Sequence, residues 1–290
     1  MSEQPINALS IDVEEYFQVS AFEPLIARGE WDSWPPSVEG SMTKLLDALQ
    51  SRNIHATFFV LGWIAERHPQ LVKRLIRDGH ELACHGYDHK RLTMQSRDQV
   101  REDLRKSKKI LEDVAGVEVI GFRAASFSIN VENLWAFEEI ESAGFKYSSS
   151  VYPIKHDLYG IPSAPSDPFR PDNVSSLVEI PVTTTLIFNR RFPAGGGGYF
   201  RLLPYKLSRA LISRVNNTEG RRANMYFHPW EFDPEQPRPT GLPLKTRFRH
   251  YLNQSRSMAR FENLLNDFRW ATFAEVYAPE LGGAVQSASI

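Results

Sequence analysis

The sequence predicts a single α/β domain over residues 1–290, in which seven or eight strands form a parallel sheet that closes most simply as a barrel. Three observations lead there. Short apolar runs alternate with stretches of helical periodicity along the whole chain, and no linker or shift in composition interrupts them. Residues that carry chemistry recur at the expected C-terminal ends of the runs, which is where barrel enzymes of this layout place theirs.

Residues 8–13 read as a buried strand ending in acid. Strand side chains alternate, so Asp12 and Glu14 share a face and Glu15 takes the other. Val38, Met42, Leu45, Leu46 and Leu49 mark a helix over 37–52, and 55–61 is the next strand. Pro69 opens a helix whose Leu71, Val72, Leu75 and Ile76 form one stripe, and Gly79 ends it. A strand over 81–84 leads into His85-Gly86-Tyr87-Asp88-His89. Ser96 and Gln99 make a capping-box pattern before a helix carrying Val100, Leu104, Leu111 and Val114 that closes near Gly116. Strand 117–122 running into Arg123, helix 131–143 and strand 145–149 repeat the rhythm.

Five prolines then mark an irregular excursion over 152–176, followed by a strand over 177–184. A second excursion over 189–200 contains Gly195 to Gly198, readable as a phosphate-cradling loop or a flexible flap; the Lys-Ser/Thr ending of a P-loop is missing. Helix 202–215, strand 223–228, a proline-rich turn region over 234–243, helix 247–268 and a strand over 270–273 complete the order.

With 42% hydrophobic and 24% charged residues, a chain of 290 residues can bury one large core. Thirty-four basic against 35 acidic residues leave a net charge of -1, which offers no field to hold nucleic acid. The lone Cys84 excludes an intramolecular disulfide and all cysteine-based zinc frameworks, and reads as a small buried side chain suited to a reducing compartment. The first residues lack a basic stretch followed by an apolar core, and no run reaches membrane-spanning length. The expectation is a cytoplasmic protein that does not span a membrane, compatible with a homo-oligomer.

His85 and His89, with three residues between them, can aim both imidazoles at one point, which is a metal-ligand spacing. A catalytic ion needs about three protein ligands and an open position. Asp12, Glu14, Arg123 and His228 stand at other strand ends and are the candidates to complete such a centre.

Several stretches together resemble the polysaccharide deacetylases of the NodB-homology type, carbohydrate esterase family 4. They are the run from Ser10 to Phe17, Ala56-Thr57-Phe58-Phe59-Val60, Gly79 to His89, Phe122-Arg123-Ala124-Ala125-Ser126-Phe127, Tyr147 to Pro153, and Phe227-His228-Pro229-Trp230. The likeness runs from residue 6 to 276 and is nearest to the branch linked to exopolysaccharide loci in exosortase-type bacteria. It implies a distorted (β/α) barrel of about seven strands and removal of acetyl groups from an N-acetylated sugar with the help of a divalent metal ion, zinc first. By position it makes His85 and His89 metal ligands, Asp12 the general base, Arg123 the base's partner, the Ser126 amide an oxyanion donor and His228 the general acid. The family's second adjacent aspartate is Val13 here, so the third ligand moves to Glu14, as in the Asp-x-Asp branch.

Two positions depart from the pattern. Gly86 stands where Ser or Thr is usual, and Ser148 where an aspartate usually orients the acid histidine; Asp157, Glu231 and Asp233 are the candidates to replace it. Tyr16, Phe17, Tyr87, Tyr152, Tyr199, Phe200 and Trp230 flank the motifs, where they pack or stack on sugar rings. His55, His68, His80, His156 and His250 read as structural or surface residues. The expected substrate is an N-acetylated glycan or its carrier-linked precursor. The competing readings are an amidase for a small non-sugar amide, a catalytically silent glycan-binding barrel, and an iron oxygenase, since two histidines and a carboxylate also suit iron.

Overall fold

The computed structural model describes residues 4–156, 159–283, 285–288 and 290. Among these residues twelve strands follow in chain order: β1 (Ile6–Val13), β2 (Thr57–Val60), β3 (Glu81–Cys84), β4 (Gly121–Phe122), β5 (Tyr147–Ser148), β6 (Arg170–Pro171), β7 (Val178–Glu179), β8 (Thr184–Ile187), β9 (Arg190–Pro193), β10 (Asn224–Phe227), β11 (Arg269–Ala271) and β12 (Ser287–Ala288). The helices are α1 (Val38–Gln50), α2 (Gly62–Arg67), α3 (Pro69–Arg77), α4 (Arg97–Ala115), α5 (Ala136–Ser142), α6 (Gly197–Leu202), α7 (Tyr205–Asn217), α8 (Leu244–Tyr251), α9 (Gln254–Asp267), α10 (Phe273–Val276) and α11 (Ala278–Leu281). Among the described residues none is long and apolar enough to cross a membrane.

One curled parallel sheet runs β10-β1-β2-β3-β4-β5-β7, with β11 also paired to β1. Strand alternation sorts its side chains into two cores. Leu9, Ile11, Val13, Phe58, Val60, Leu82 and Cys84 pack outward against the helices, whereas Ala8, Phe59, Ala83, Tyr147 and Val178 fill the lumen with Phe273 and Tyr277. Asp12 has the parity of Ala8, so β1 carries it into the lumen. The outer edges, β7 and β10, are bridged by side chains and not by a ladder. Asn224 donates through Nδ2 to the Pro181 carbonyl (2.6 Å), and its backbone N–H donates to the Thr183 hydroxyl (2.6 Å).

The structure shifts five expected elements. Strand 117–122 shortens to β4, and helix 131–143 begins only at Ala136, because Asn130 and Asn133 fold their side chains back onto the backbone of 130–132 as a turn. The expected strand 177–184 divides at Pro181 into β7 and β8, and β8 pairs antiparallel with β9 in a hairpin outside the main sheet. Helix 247–268 becomes α8 and α9, broken at Leu252 and at Asn253, whose φ is +56°. Residues 270–273 divide between β11 and α10.

Candidate active site

The ends of β1, β3, β4 and β10 converge on a cavity of about 490 Å³ lined by Asp12, Glu14, His85, His89, Ser126 and His228. A second cavity, about 320 Å³ beside Arg221, Arg222, Tyr277 and Glu280, has both guanidinium groups already paired, to Glu219 and to Glu280.

Arg123, fully buried, follows β4 and anchors the first side of the catalytic cavity. Its Nη1 donates to Asp12 Oδ1 (2.5 Å) and to the Ser10 hydroxyl (2.9 Å), while Nε donates to the Ser149 carbonyl (3.1 Å). Its guanidinium also lies over the Phe59 ring at 3.9 Å. These contacts fix one carboxylate oxygen of Asp12 and leave Oδ2 toward the cavity.

Glu14, His85 and His89 form the second group. One donor atom from each lies within 4.8 Å of the others, and all three residues are buried. His85 Nδ1 is bound to the Arg123 carbonyl at 2.8 Å, which leaves Nε2 as its free donor, the usual outer bond of a ligating imidazole. Burial lowers the pKa of both histidines, His89 to about 4 against the pull of Glu14, so both rings are neutral near pH 7. Glu14 Oε1 accepts from Trp230 Nε1 at 3.0 Å. Glu14 Oε2 lies 3.0 Å from His89 Nε2, yet forms no hydrogen bond among the described residues, and neither does His89 Nδ1. A buried carboxylate oxygen left open between two neutral imidazoles fits a divalent cation, and the His₂-carboxylate set suits zinc and its first-row neighbours.

His228 occupies the third side. Its Nε2 lies 3.9 Å from Asp12 Oδ2 and 3.7 Å from Glu14 Oε1. Behind it, Glu231 Oε2 stands 3.5 Å from Nδ1, at the long limit of a hydrogen bond, and accepts the His228 backbone N–H at 3.1 Å. Burial opposes the charged imidazolium, but Glu231, Glu14 and Asp12 outweigh it and hold the His228 pKa up to about 9. Arg201 in turn fixes Glu231. Its Nε donates to Oε1 (3.0 Å), while Nη1 donates to the carbonyls of His250 (2.8 Å) and Leu252 (2.9 Å).

Of the three candidates to orient His228, the structure brings Glu231 to it. Asp233 binds the Glu235 N–H instead, and Asp157 lies outside the described residues. Arg201 escaped the sequence reading, and the neighbouring glycine run was the signal for it. The run packs against the site: Gly197 starts α6 so close to Glu231 that an added Cβ would sit 1.8 Å from Oε2. Gly86 has a similar cause. Its φ is +81°, in the region that favours glycine, and a Cβ there would sit 3.0 Å from Asp103 Oδ2.

Ser126 also lines the cavity, in a turn where Ser126 and Phe127 both have positive φ (53° and 50°). This is stored backbone strain of the kind found at functional sites. The N–H groups of Phe127 and Ser128 close onto Ala124 and Ala125, while that of Ser126 has no acceptor among the described residues. The flanking aromatics divide. Tyr16, Phe17, Tyr152 and Phe200 are buried, Tyr87 bonds Glu66 through its hydroxyl, and Tyr199 and Trp230 line cavities. His156 and His250, expected to be structural or surface residues, both line the site; His250 stacks on Trp230 at 4.3 Å.

Comparison with known proteins places this geometry. Residues 30–147 match the polysaccharide deacetylase family, and residues 149–278 match a domain of unknown function (DUF3473). The first segment holds His85, His89 and Arg123, the second Arg201, His228 and Glu231, and both contribute strands to the one sheet. A peptidoglycan-N-acetylglucosamine deacetylase of Bacillus cereus is 41% identical over 73 residues, 25% of this chain and 26% of that protein. Another, from Listeria monocytogenes, is 42% identical over 72 residues, 25% of this chain and 16% of that protein. The chain thus matches about a quarter or less of the length of these relatives. A crystal structure from Mycobacterium smegmatis, described as a polysaccharide deacetylase, superposes with a TM-score of 0.64 at 18% identity, covering 100% of this chain and 95% of that one. Residues 30–147 thus match the polysaccharide deacetylase family, and the sheet around them has the fold of that crystal structure.

Proposed function

We propose that the chain is a metal-dependent hydrolase that removes the acetyl group from an N-acetylated sugar unit of a polysaccharide or of its carrier-linked precursor, in the synthesis of an exopolysaccharide or surface glycan. One observation carries the reading: the three donor atoms of Glu14, His85 and His89 meet between the Asp12–Arg123 pair and the His228–Glu231–Arg201 chain, in one cavity. The relatives named above support the sugar.

A divalent ion bound by Glu14, His85 and His89, zinc by preference, supplies Lewis acidity that polarises a carbonyl and acidifies water. Asp12 Oδ2, with Oδ1 held by Arg123, takes the proton of the attacking water as its oxygen bonds to the acetyl carbon. The oxyanion that forms meets the N–H of Ser126. His228 Nε2 gives its proton to the departing nitrogen as the C–N bond breaks, leaving acetate and a free amine. Glu231 holds that proton on the ring until transfer.

Acetate release from a chitin oligosaccharide, with metal content measured on the same sample, tests the reading. Wild type is expected to release acetate, chelation to stop it, and Asp12→Asn to lower kcat by about 10²–10⁴-fold. Metal-loaded wild type that releases acetate from no N-acetyl sugar would overturn the proposal; release from small acetamides alone would favour a non-sugar amidase.

A further inference from the structure

The catalytic cavity does not end at His228. It opens into a second lobe of about 220 Å³, and the two share His156, Tyr159, Gly198, Tyr226 and Arg249. His156 and Tyr159 line the lobe as stacked rings, 3.9 Å apart and inclined by 10°, and the buried Tyr152 lies parallel to Tyr159 at 5.9 Å and 5°. With them stand Leu202 and Phe248, which leave 52% and 60% of their surface in water. Large apolar side chains this exposed at the mouth of a site leave contact surface for an occupant.

Among the described residues the charge of the lobe is one-sided. Arg249 lines it, and among the described residues its guanidinium has no carboxylate partner, whereas Arg201 one helix away is fully paired. It stands on α8, whose eight residues carry Lys245, Arg247 and Arg249 and no acid. The carboxylates Asp12, Glu14 and Glu231 line the first cavity and not the lobe, whereas Arg249 lines both.

We infer that this lobe is a subsite for the unit next to the N-acetyl sugar, and that Arg249 selects a unit bearing an anionic group, phosphate or carboxylate. The inference rests on the deacetylase reading for the identity of the first unit. The ring platform receives the apolar face of the substrate, and the planar guanidinium takes the anion through paired N–H donors, which a neutral neighbour cannot satisfy. Charge then fixes the polarity of binding, with the acetamide toward Glu14 and the anion toward α8.

Three probes separate the sources of the anion: a neutral chitin trisaccharide, a hyaluronan tetrasaccharide that carries carboxylates, and UDP-N-acetylglucosamine, which carries a diphosphate. Acetate release is followed with wild type and Arg249→Met, and equilibrium binding is measured by calorimetry in the Asp12→Asn background with and without Arg249→Met. At least one anionic probe is expected to exceed the neutral one about tenfold in kcat/KM and in affinity, and Arg249→Met should erase that ratio, chiefly through KM. Arg249→Lys should restore part of it. A neutral probe that binds as tightly as both anionic ones, or a ratio that survives Arg249→Met, overturns the inference. Acetate released equally from all three would sink the subsite and keep the deacetylase; discrimination in binding without acetate release would do the reverse.

Discussion

Replacing Glu231 by Gln tests whether the His228 proton is held by charge. In the native site His228 has its pKa raised to about 9; against burial, the contact with Glu231 raises it most, followed by the charge of Glu14 and then that of Glu231. A histidine with a raised pKa keeps its proton below that value and loses it as pH climbs through it, so the acid form survives to about pH 9. With Glu231 neutral, the pKa returns toward the ordinary 6.5. At pH 8 the protonated fraction then falls from about 0.9 to about 0.03, roughly thirtyfold, while at pH 6 it falls only from about 1 to about 0.8. A cation held by Glu14 removes that carboxylate's contribution and lowers the value in both proteins alike, so the difference between them, and not either value alone, reports Glu231. The assay is kcat/KM for acetate release from pH 5.5 to 9.5. The variant should show its alkaline limb displaced downward by more than one pH unit, with near-native activity at pH 6. Breaking one side of the buried Arg201–Glu231 pair costs about 3–5 kcal/mol of stability, moderated by the carbonyls of His250 and Leu252 that still hold Arg201. A thermal melt therefore accompanies each profile. An equal loss at pH 6 and pH 8 with the limb unmoved in a folded variant would refute the electrostatic role.

The parts of this site that could be read from sequence are those governed by strand parity. Residues 8–13 alternate between two cores, so the common face of Asp12 and Glu14 follows from spacing alone, and the sheet delivers both to the cavity. The capping box at Ser96 and Gln99 is local chemistry of the same kind, and both of its bonds are formed. What spacing could not show depends on distant packing. Arg201 reaches Glu231 across 30 positions, and a sequence shows only an arginine just after four glycines. The glycines are explained by the carboxylate they approach, not by any turn of their own. Glu231 had rivals because His228-Pro229-Trp230-Glu231 folds as a 3-10 turn that returns Glu231 to His228, and Asp233, two residues on, is turned away. The hairpin of β8 and β9 was hidden for another reason. Its four-residue strands carry half-exposed and exposed residues such as Leu186 and Phe192, which have no apolar run to announce them.

Two further perturbations probe how the scaffold holds these groups. Glu179 on β7 accepts the N–H of Ser150 (2.8 Å) and of Val151 (2.7 Å), fixing the turn whose Ser149 binds Arg123, and burial pushes its pKa up to about 7. The folded state therefore binds this proton more tightly than the unfolded chain between about pH 4.5 and 7, so this group's contribution to stability falls as pH rises through that window and levels off above it. Glu179→Gln keeps the acceptor and removes the charge. Urea unfolding should show the variant gaining on wild type by up to about 3 kcal/mol between pH 5 and pH 8, and a constant difference would exclude ionisation of Glu179. The last pair separates close approach from flexibility in the glycine run. An alanine Cβ at Gly197 would overlap Glu231, whose carboxylate is pinned by Arg201 and by the His228 N–H, whereas Gly198, in the same helix, has no atom within 4 Å of the same position. If the run served as a flap, both alanines would stiffen it alike. Because the constraint is steric, Gly197→Ala should cost about 1–3 kcal/mol and displace Glu231, with the same downward shift of the alkaline limb as Glu231→Gln. Gly198→Ala should instead gain up to about 1 kcal/mol from helix propensity. Opposite signs at adjacent glycines are what close packing requires, and matching signs would return the run to a flexible loop.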